Sequence, residues 1–209
     1  MRSQFNDLPQ MSASRLLVLL LALAACGERP KLERLPASAV VLAFGDSLTF
    51  GTGANETESY PAQLESLIGR RVVRAGIPGE LTAQALERLP AALDEHAPRL
   101  LILCIGGNDF LRRLGNAQAE RNVRAMVQLA KSRGVSVLLI GTPEPGLLPS
   151  PPAFYAAVAK DLGVPYEDGV VTEVLKDASL KSDPIHPNAR GYRLIAERLA
   201  ARLKKSGAL

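Results

Sequence analysis

Four short polar clusters stand out in an otherwise aliphatic chain: Gly45-Asp46-Ser47-Leu48, Gly76-Ile77-Pro78-Gly79, Gly106-Gly107-Asn108-Asp109 and Asp183-Pro184-Ile185-His186. Their residue types suit acyl chemistry. A serine hydroxyl is a poor nucleophile until a base takes its proton, and imidazole is the side chain suited to that task. The imidazole in turn needs a carboxylate to hold one tautomer and to stabilise its charged form. Asp183 and His186 are three residues apart, so one turn of chain can hold both side chains together. Attack by Ser47 on an acyl carbon would create an oxyanion, which needs hydrogen-bond donors aimed at it. The backbone N–H groups of Ser47 and Gly79 and the side-chain amide of Asn108 are the candidate donors. A glycine would let the backbone approach a substrate without a Cβ in the way.

These clusters need elements that bring them together. Ala39–Phe44 and Leu100–Ile105 are apolar runs, and Val72–Ala75 and Val135–Ile140 are apolar apart from Arg74 and Ser136; together they predict strands of a parallel sheet buried on both faces. Between them, Leu86, Leu89 and Leu93 share one helical face, and Val123, Met126, Val127 and Ala130 share another. A final helix carries Tyr192, Ile195, Ala196, Leu199 and Leu203. Gly134 sits where a helix should end, and Val164-Pro165-Tyr166 predicts a short fifth strand. The alternation predicts a flavodoxin-like three-layer α/β/α sandwich around a mainly parallel sheet of about five strands. Ligands of such sheets bind beyond the carboxyl ends of the strands, where the first three clusters fall.

The GDSL run, Gly79, the GGND of Gly106–Asp109 and the DxxH of Asp183–His186 resemble, in order, the four signature blocks of the GDSL (SGNH) hydrolases. The resemblance covers residues 39–204. It is closer to the bacterial arylesterases and acyl-CoA thioesterase/lysophospholipases of that family, through Glu58–Ala62 and the phrase HPNARGY of His186–Tyr192. It implies Ser47 as nucleophile, His186 as base and Asp183 as its orienter, with Ser47, Gly79 and Asn108 forming the oxyanion hole. No cofactor and no metal are implied, and the substrate would be a small ester or lipid-like molecule. The chain departs from the family at three places. Arg74 stands where the second block has an asparagine, and Glu80-Leu81-Thr82 where relatives have an Asp-Thr pair. Thr142–Pro152 replaces the asparagine-tyrosine-glycine loop of thioesterase-like members.

Other readings of the same residues are less economical. Ser47 could cap a turn, and Gly45–Thr49 nearly matches the nucleophile elbow of α/β-hydrolases, but that serine lies deep in its chain rather than after the first strand. Pro187 suits a first helical position, which would make His186 a helix-entry residue. Asp46 and Asp109 read as residues that hold site loops together, and His96 as a solvated helix end. Asn55-Glu56-Thr57 matches a glycosylation pattern, which would mean little in a bacterial lipoprotein of the kind the resemblance implies. The two histidines and scattered acids offer no metal-ligand spacing, and no GxGxxG or P-loop occurs. An O-acetyl polysaccharide or peptidoglycan deacetylase and a non-catalytic binding lipoprotein are the alternative functions.

The amino end carries a separate signal. Ten apolar residues, Leu16–Ala25, follow Arg15 and precede Cys26. That is too short to span a bilayer, which takes about 20 residues, and it predicts a signal peptide over residues 1–25. Leu23-Ala24-Ala25-Cys26 resembles a bacterial lipobox, so Cys26 is the expected lipidation site and Gly27–Ala37 a charged tether before a hydrolase domain at 38–209. The expected location is the cell envelope, held by a lipid anchor and facing the periplasm or exterior. From Cys26 onward 184 of the 209 residues remain, with 23 basic and 20 acidic side chains once Arg2, Arg15 and Asp7 are removed. The charges are dispersed with no basic-aromatic cluster, so nucleic acid is not a predicted partner, and the chain reads as a monomer. Cys104 is then the remaining thiol, in an apolar run where it reads as a small core residue.

Overall fold

The structure, a computed structural model, describes residues 30–146 and 149–209. The signal peptide and the lipidation site expected at Cys26 lie outside the described residues, as do Leu147 and Leu148. Strands β1 Val40–Gly45, β2 Arg71–Gly76, β3 Leu100–Cys104, β4 Ser136–Ile140 and β5 Tyr166–Glu167 form one sheet. Every neighbouring pair is parallel, in the order β2-β1-β3-β4-β5. The fifth strand is shorter and later than the expected Val164–Tyr166. Pro165 has no N–H for the ladder and contributes only its carbonyl, which accepts Leu139 N–H at 3.0 Å.

The helices among the described residues are α1 Ser47–Phe50, α2 Tyr60–Ile68, α3 Thr82–His96, α4 Gly107–Leu111, α5 Asn116–Ser132, α6 Phe154–Leu162, α7 Val170–Lys176 and α8 Ala189–Lys205. They cover both faces of the sheet. Val41, Ala43, Ile102 and Ile140 pack with Leu64 of α2, Val174 of α7 and Leu199 of α8. Their strand neighbours Leu42, Phe44, Leu101 and Leu139 point the other way, onto Leu89 of α3, Met126 of α5 and Val158 of α6. Two buried faces explain why these strands read as unbroken apolar runs, each such side chain stabilising the fold by roughly 1.5–3 kcal/mol. Gly134, at φ +71°, ends α5 as expected, with Val135 N–H bonded back to the Ala130 carbonyl at 3.0 Å.

The chain before β1 corrects one boundary. The segment expected to run free to Ala37 is docked from Leu32: Leu32 and Leu35 donate to the carbonyls of Ser206 and Ala208, each at 2.8 Å. Leu35 is buried beside Ile68 and Ala208, with Leu32 packed on the same cluster. These two leucines, spaced by three among charged residues, hold the segment against the end of α8.

Since β1 lies between β2 and β3, the chain leaves it toward opposite sides of the sheet. The carboxyl end of β1 is therefore the crevice where an open α/β sheet receives ligands.

Candidate active site

At that crevice β1 ends in Gly45, where a Cβ would lie 1.8 Å from the Cys104 carbonyl oxygen. Asp46 follows and caps α1 by accepting the Leu48 N–H at 3.1 Å. Ser47 is thereby the first helical residue, and its own N–H has no intrahelical acceptor.

His186 comes from the other end of the chain, with its Nε2 3.0 Å from Ser47 Oγ. Its Nδ1 is 2.7 Å from Asp183 Oδ2. The other carboxylate oxygen, Oδ1, accepts the N–H groups of Ile185 and His186, both at 2.9 Å. Desolvation raises the Asp183 carboxyl, but the bonds from the His186 ring and from the Ile185 and His186 N–H groups outweigh it and hold the carboxyl below the ordinary carboxylate range. An ionised Asp183 only accepts, so Nδ1 carries the proton and the Nε2 lone pair faces the serine hydroxyl. Asn188 fixes this loop: its Oδ1 accepts from Arg190 and Gly191 at 3.0 and 3.1 Å, and its amide donates to the carbonyls of Ser179 and Lys181 at 3.0 and 3.1 Å. Asn188 is the helix cap, so Pro187 lies just outside the first helical position expected for it.

The second and third clusters meet beside Ser47. Ile77-Pro78-Gly79-Glu80 is a turn with Pro78 at its second position, Gly79 at φ +79° and Glu80 N–H on the Ile77 carbonyl at 3.2 Å. That is type II geometry, which demands a glycine for its backbone. A Cβ at Gly79 would touch nothing within 4 Å, so the glycine answers to the turn rather than to a close approach. Asn108 Nδ2 donates to the Glu80 carbonyl at 3.0 Å. A carbonyl only accepts, so this contact decides which end of the amide is nitrogen and leaves its second N–H for a ligand.

Glu80, Arg88 and Tyr155, to which the sequence assigns no supporting role, hold these clusters together with Asp109. Glu80 is buried and bound twice by Arg88, Nε to Oε1 at 2.7 Å and a terminal nitrogen to Oε2 at 2.6 Å. The same guanidinium stacks 3.9 Å from the Phe44 ring centroid. Asp109 accepts the N–H and hydroxyl of Thr82, which makes it a loop-holding residue, as its position suggests. Tyr155 donates its hydroxyl to the Ile105 carbonyl at 2.6 Å and backs Gly106. Asp46, expected to have the same holding role, is buried, and desolvation pushes its carboxyl up to about 7. Arg74, the departure in the second block, binds the Phe50 carbonyl at the end of α1 at 2.7 Å and Glu56 at 2.8 Å. His96 ends α3 and lies 3.7 Å from Glu95.

Ser47, Gly79, Asn108 and His186 line one cleft of ≈ 680 Å³. Its remaining wall is largely apolar: Leu111, Pro143, Pro145, Pro149, Leu175 and Ile185. The prolines come from the loop that departs from thioesterase-like relatives, closed by Glu144 N–H on the Ser150 carbonyl at 3.0 Å. Among the described residues, no group of three or more His, Cys, Asp or Glu side chains could hold a metal ion.

A family model described as the GDSL-like Lipase/Acylhydrolase family matches residues 43–194. The chain is 33% identical over 179 residues to Thioesterase 1/protease 1/lysophospholipase L1 of Escherichia coli (strain K12), covering 82% of this chain and 86% of that protein. It is 36% identical over 126 residues to Esterase TesA of Pseudomonas aeruginosa, 58% of this chain and 63% of the relative. Among solved structures, AlinE4, an SGNH-hydrolase family esterase, matches with a TM-score of 0.62 at 32% identity, over 81% of this chain and 96% of that one. The psychrotrophic esterase EstA from Pseudoalteromonas sp. matches at TM-score 0.72 and 22% identity, over 80% and 98%, a likeness of fold.

Proposed function

The chain belongs to the GDSL-like lipase/acylhydrolase family, and within it we propose that this ester-bond hydrolase works through an acyl-enzyme formed on Ser47. The observation that carries the reading is the hydrogen-bonded series Ser47 Oγ, His186, Asp183, with links of 3.0 and 2.7 Å. Ser47 Oγ attacks the acyl carbon while its proton passes to His186 Nε2. The resulting oxyanion is met by the N–H groups of Ser47, Gly79 and Asn108 Nδ2. Collapse breaks the ester bond, and His186 returns the proton to the departing alkoxide or thiolate. Water then attacks the acyl-enzyme with His186 again as base, releasing a carboxylic acid and the free serine. Asp183 keeps the Nδ1 proton in place and stabilises the imidazolium.

The apolar wall supports acyl groups with a hydrocarbon chain, on oxygen or sulfur esters. The similar Escherichia coli protein is named for thioester and lysophospholipid cleavage, and both bond types are carried over as part of this proposal. A polysaccharide deacetylase needs a groove for the glycan beside the acetyl group, and the apolar wall of this cleft suits a hydrocarbon chain better than the hydroxyls of a sugar. A non-catalytic binding lipoprotein has no use for a relay of this geometry. Fluorophosphonate labelling of the wild type, lost in Ser47→Ala with the fold intact, is the expected result. Wild-type turnover in Ser47→Ala would end the proposal.

The envelope location is likewise a proposal, resting on Leu23–Cys26 after the short apolar segment. A diacylglyceryl group on Cys26 would supply two chains, and one alone binds only marginally. Mass spectrometry of the mature amino terminus checks it, an unmodified terminus beyond Cys26 being the adverse result.

A further inference from the structure

Among the described residues six large hydrophobic side chains are exposed: Phe50, Leu67, Ile77, Leu111, Leu114 and Ile185. Two of these lie on the wall of the cleft and two more flank lining residues in sequence. Leu111 and Ile185 line it, Ile77 precedes the lining residue Pro78, and Leu114 follows Leu111 by three residues. Such clustering, as opposed to scattered exposure, marks an interaction surface.

The segment Leu111-Arg112-Arg113-Leu114 gives that surface a second property. Leu111 and Leu114 are 45% and 50% exposed and flank two exposed arginines. Among the described residues no ion pair holds either arginine, as is also true of the exposed Arg71 and Arg99; what sets these two apart is that they are adjacent and lie between two exposed leucines beside the cleft. Arg112 reaches only the Gly79 carbonyl, at 3.5 Å, which sets the Ile77 turn beside this segment. Two of the nearby acids are withdrawn, Asp109 buried on Thr82 and Glu80 buried on Arg88, while the exposed Glu144 of the cleft wall is offset by Lys176 and Lys181 in the same lining. Arg113 also sits at φ +54°, a left-handed conformation that glycine adopts at no steric cost. The backbone at this position would favour glycine, and an exposed cation stands there instead.

We propose that Leu111–Leu114, with Ile77, is an interfacial docking surface for an anionic phospholipid bilayer. The leucines enter the headgroup boundary, the arginines meet lipid phosphates, and the cleft opens onto the surface that holds its substrate. Apolar side chains rimmed by arginine suit that occupant, because burial and charge attraction add, each cation contributing roughly fivefold to partitioning. The docking is independent of turnover, so an inactive Ser47→Ala chain docks equally well, and its failure would leave the catalytic reading untouched.

The chain contains no tryptophan, which gives a direct test on the full chain. Leu114→Trp places one emitter at the surface, and Leu67→Trp places one on α2 as control. With vesicles containing phosphatidylglycerol, emission of the Leu114→Trp variant should shift to the blue and be quenched by bromine-labelled acyl chains, while that of Leu67→Trp stays unchanged. An amino-terminal anchor would bring both emitters to the vesicle, but only docking would immerse the first. Adding Arg113→Gly, which the backbone tolerates, should weaken the shift about fivefold in lipid titration. Equal emission of the Leu114→Trp variant in buffer and on anionic vesicles overturns the proposal. So does a shift produced as strongly by a soluble polyanion such as heparin, which would assign the surface to an acidic polymer.

Discussion

Asp109 and Thr82 are 27 residues apart in sequence and are joined twice, Thr82 N–H to Oδ2 at 2.9 Å and its hydroxyl to Oδ1 at 2.6 Å. Asn122 extends the contact by donating to the Thr82 hydroxyl at 2.9 Å. The pair joins the start of α3 to α4, and so fixes the Gly79 turn relative to Asn108. Thr82→Val would leave a carboxylate oxygen and the Asn122 amide without partners. A loss of about 1–3 kcal/mol is expected, with a melting temperature lower by roughly 2–4 °C per kcal/mol. Turnover should fall more than the Michaelis constant changes, because the two proposed oxyanion donors, the Gly79 N–H and Asn108, lose their spacing. Thr82→Ser should restore both. Full turnover in Thr82→Val, measured on a p-nitrophenyl ester, would show that the clamp has no bearing on the site.

Asn108 has one fixed contact, with the Glu80 carbonyl, and in the proposed mechanism its second N–H meets the oxyanion. Asn108→Ala should therefore cost little stability, within the roughly 0.5–1.5 kcal/mol of a single hydrogen bond. Its turnover should fall by about 10²–10³, the usual consequence of losing an oxyanion donor. Steady-state kinetics separate the alternatives, since a change confined to the Michaelis constant would make Asn108 a pocket residue.

Asp46 should make stability depend on pH in an unusual direction for an aspartate. Burial pushes its carboxyl up to about 7, the Leu48 N–H lowers it, and the charges of Glu80 and Asp109 raise it further. The folded protein thus binds this proton more tightly than the unfolded chain does. The stabilisation is full below about pH 3.8 and is lost as pH rises through about 7. Asp46→Asn keeps an acceptor for Leu48 N–H and cannot ionise. Its stability relative to wild type should rise by on the order of 2–3 kcal/mol between pH 5 and 8. Thermal melts at the two pH values decide this, and an unchanged difference would mean that Asp46 is ionised throughout.

Much of this is legible in the sequence, for physical reasons that stop at identifiable points. Strands buried on both faces must be apolar at every position, so β1, β3 and β4 announce themselves. The residues after them stand out because polar groups and glycines are rare in such surroundings. Asp183 and His186 are legible as a pair because three residues of chain already hold them together. The support behind these clusters is not. Glu80 and Arg88 are eight apart, across a turn and into α3, a spacing that no local rule connects. Thr82 and Asn122 are 40 apart and meet only through tertiary packing. The docking of Leu32 and Leu35 is hidden in the sequence, because charged neighbours mask two apolar contacts and their partner surface lies at the far end of the chain.

Two glycines at the site should respond to alanine in opposite ways, although both are in signature clusters. At Gly45 a Cβ would stand 1.8 Å from the Cys104 carbonyl oxygen and 2.7 Å from Thr49 Oγ1. The nearer obstacle is backbone of the adjacent strand, so β1 and β3 must part. The cost should exceed the about 1–3 kcal/mol of ordinary overpacking, and Gly45→Ala should yield little folded protein. At Gly79 no atom lies within 4 Å of a Cβ, and the constraint is φ +79° alone. Gly79→Ala should fold with a loss of roughly 1–2 kcal/mol, the usual left-handed penalty. Alanine retains the N–H that Gly79 would offer an oxyanion, so turnover should stay within about tenfold of wild type, well above the residual rate expected of Asn108→Ala. Circular dichroism melts with parallel rate measurements distinguish the two glycines. Comparable collapse of both variants would mean that the Ile77–Glu80 turn is packed as tightly as the end of β1.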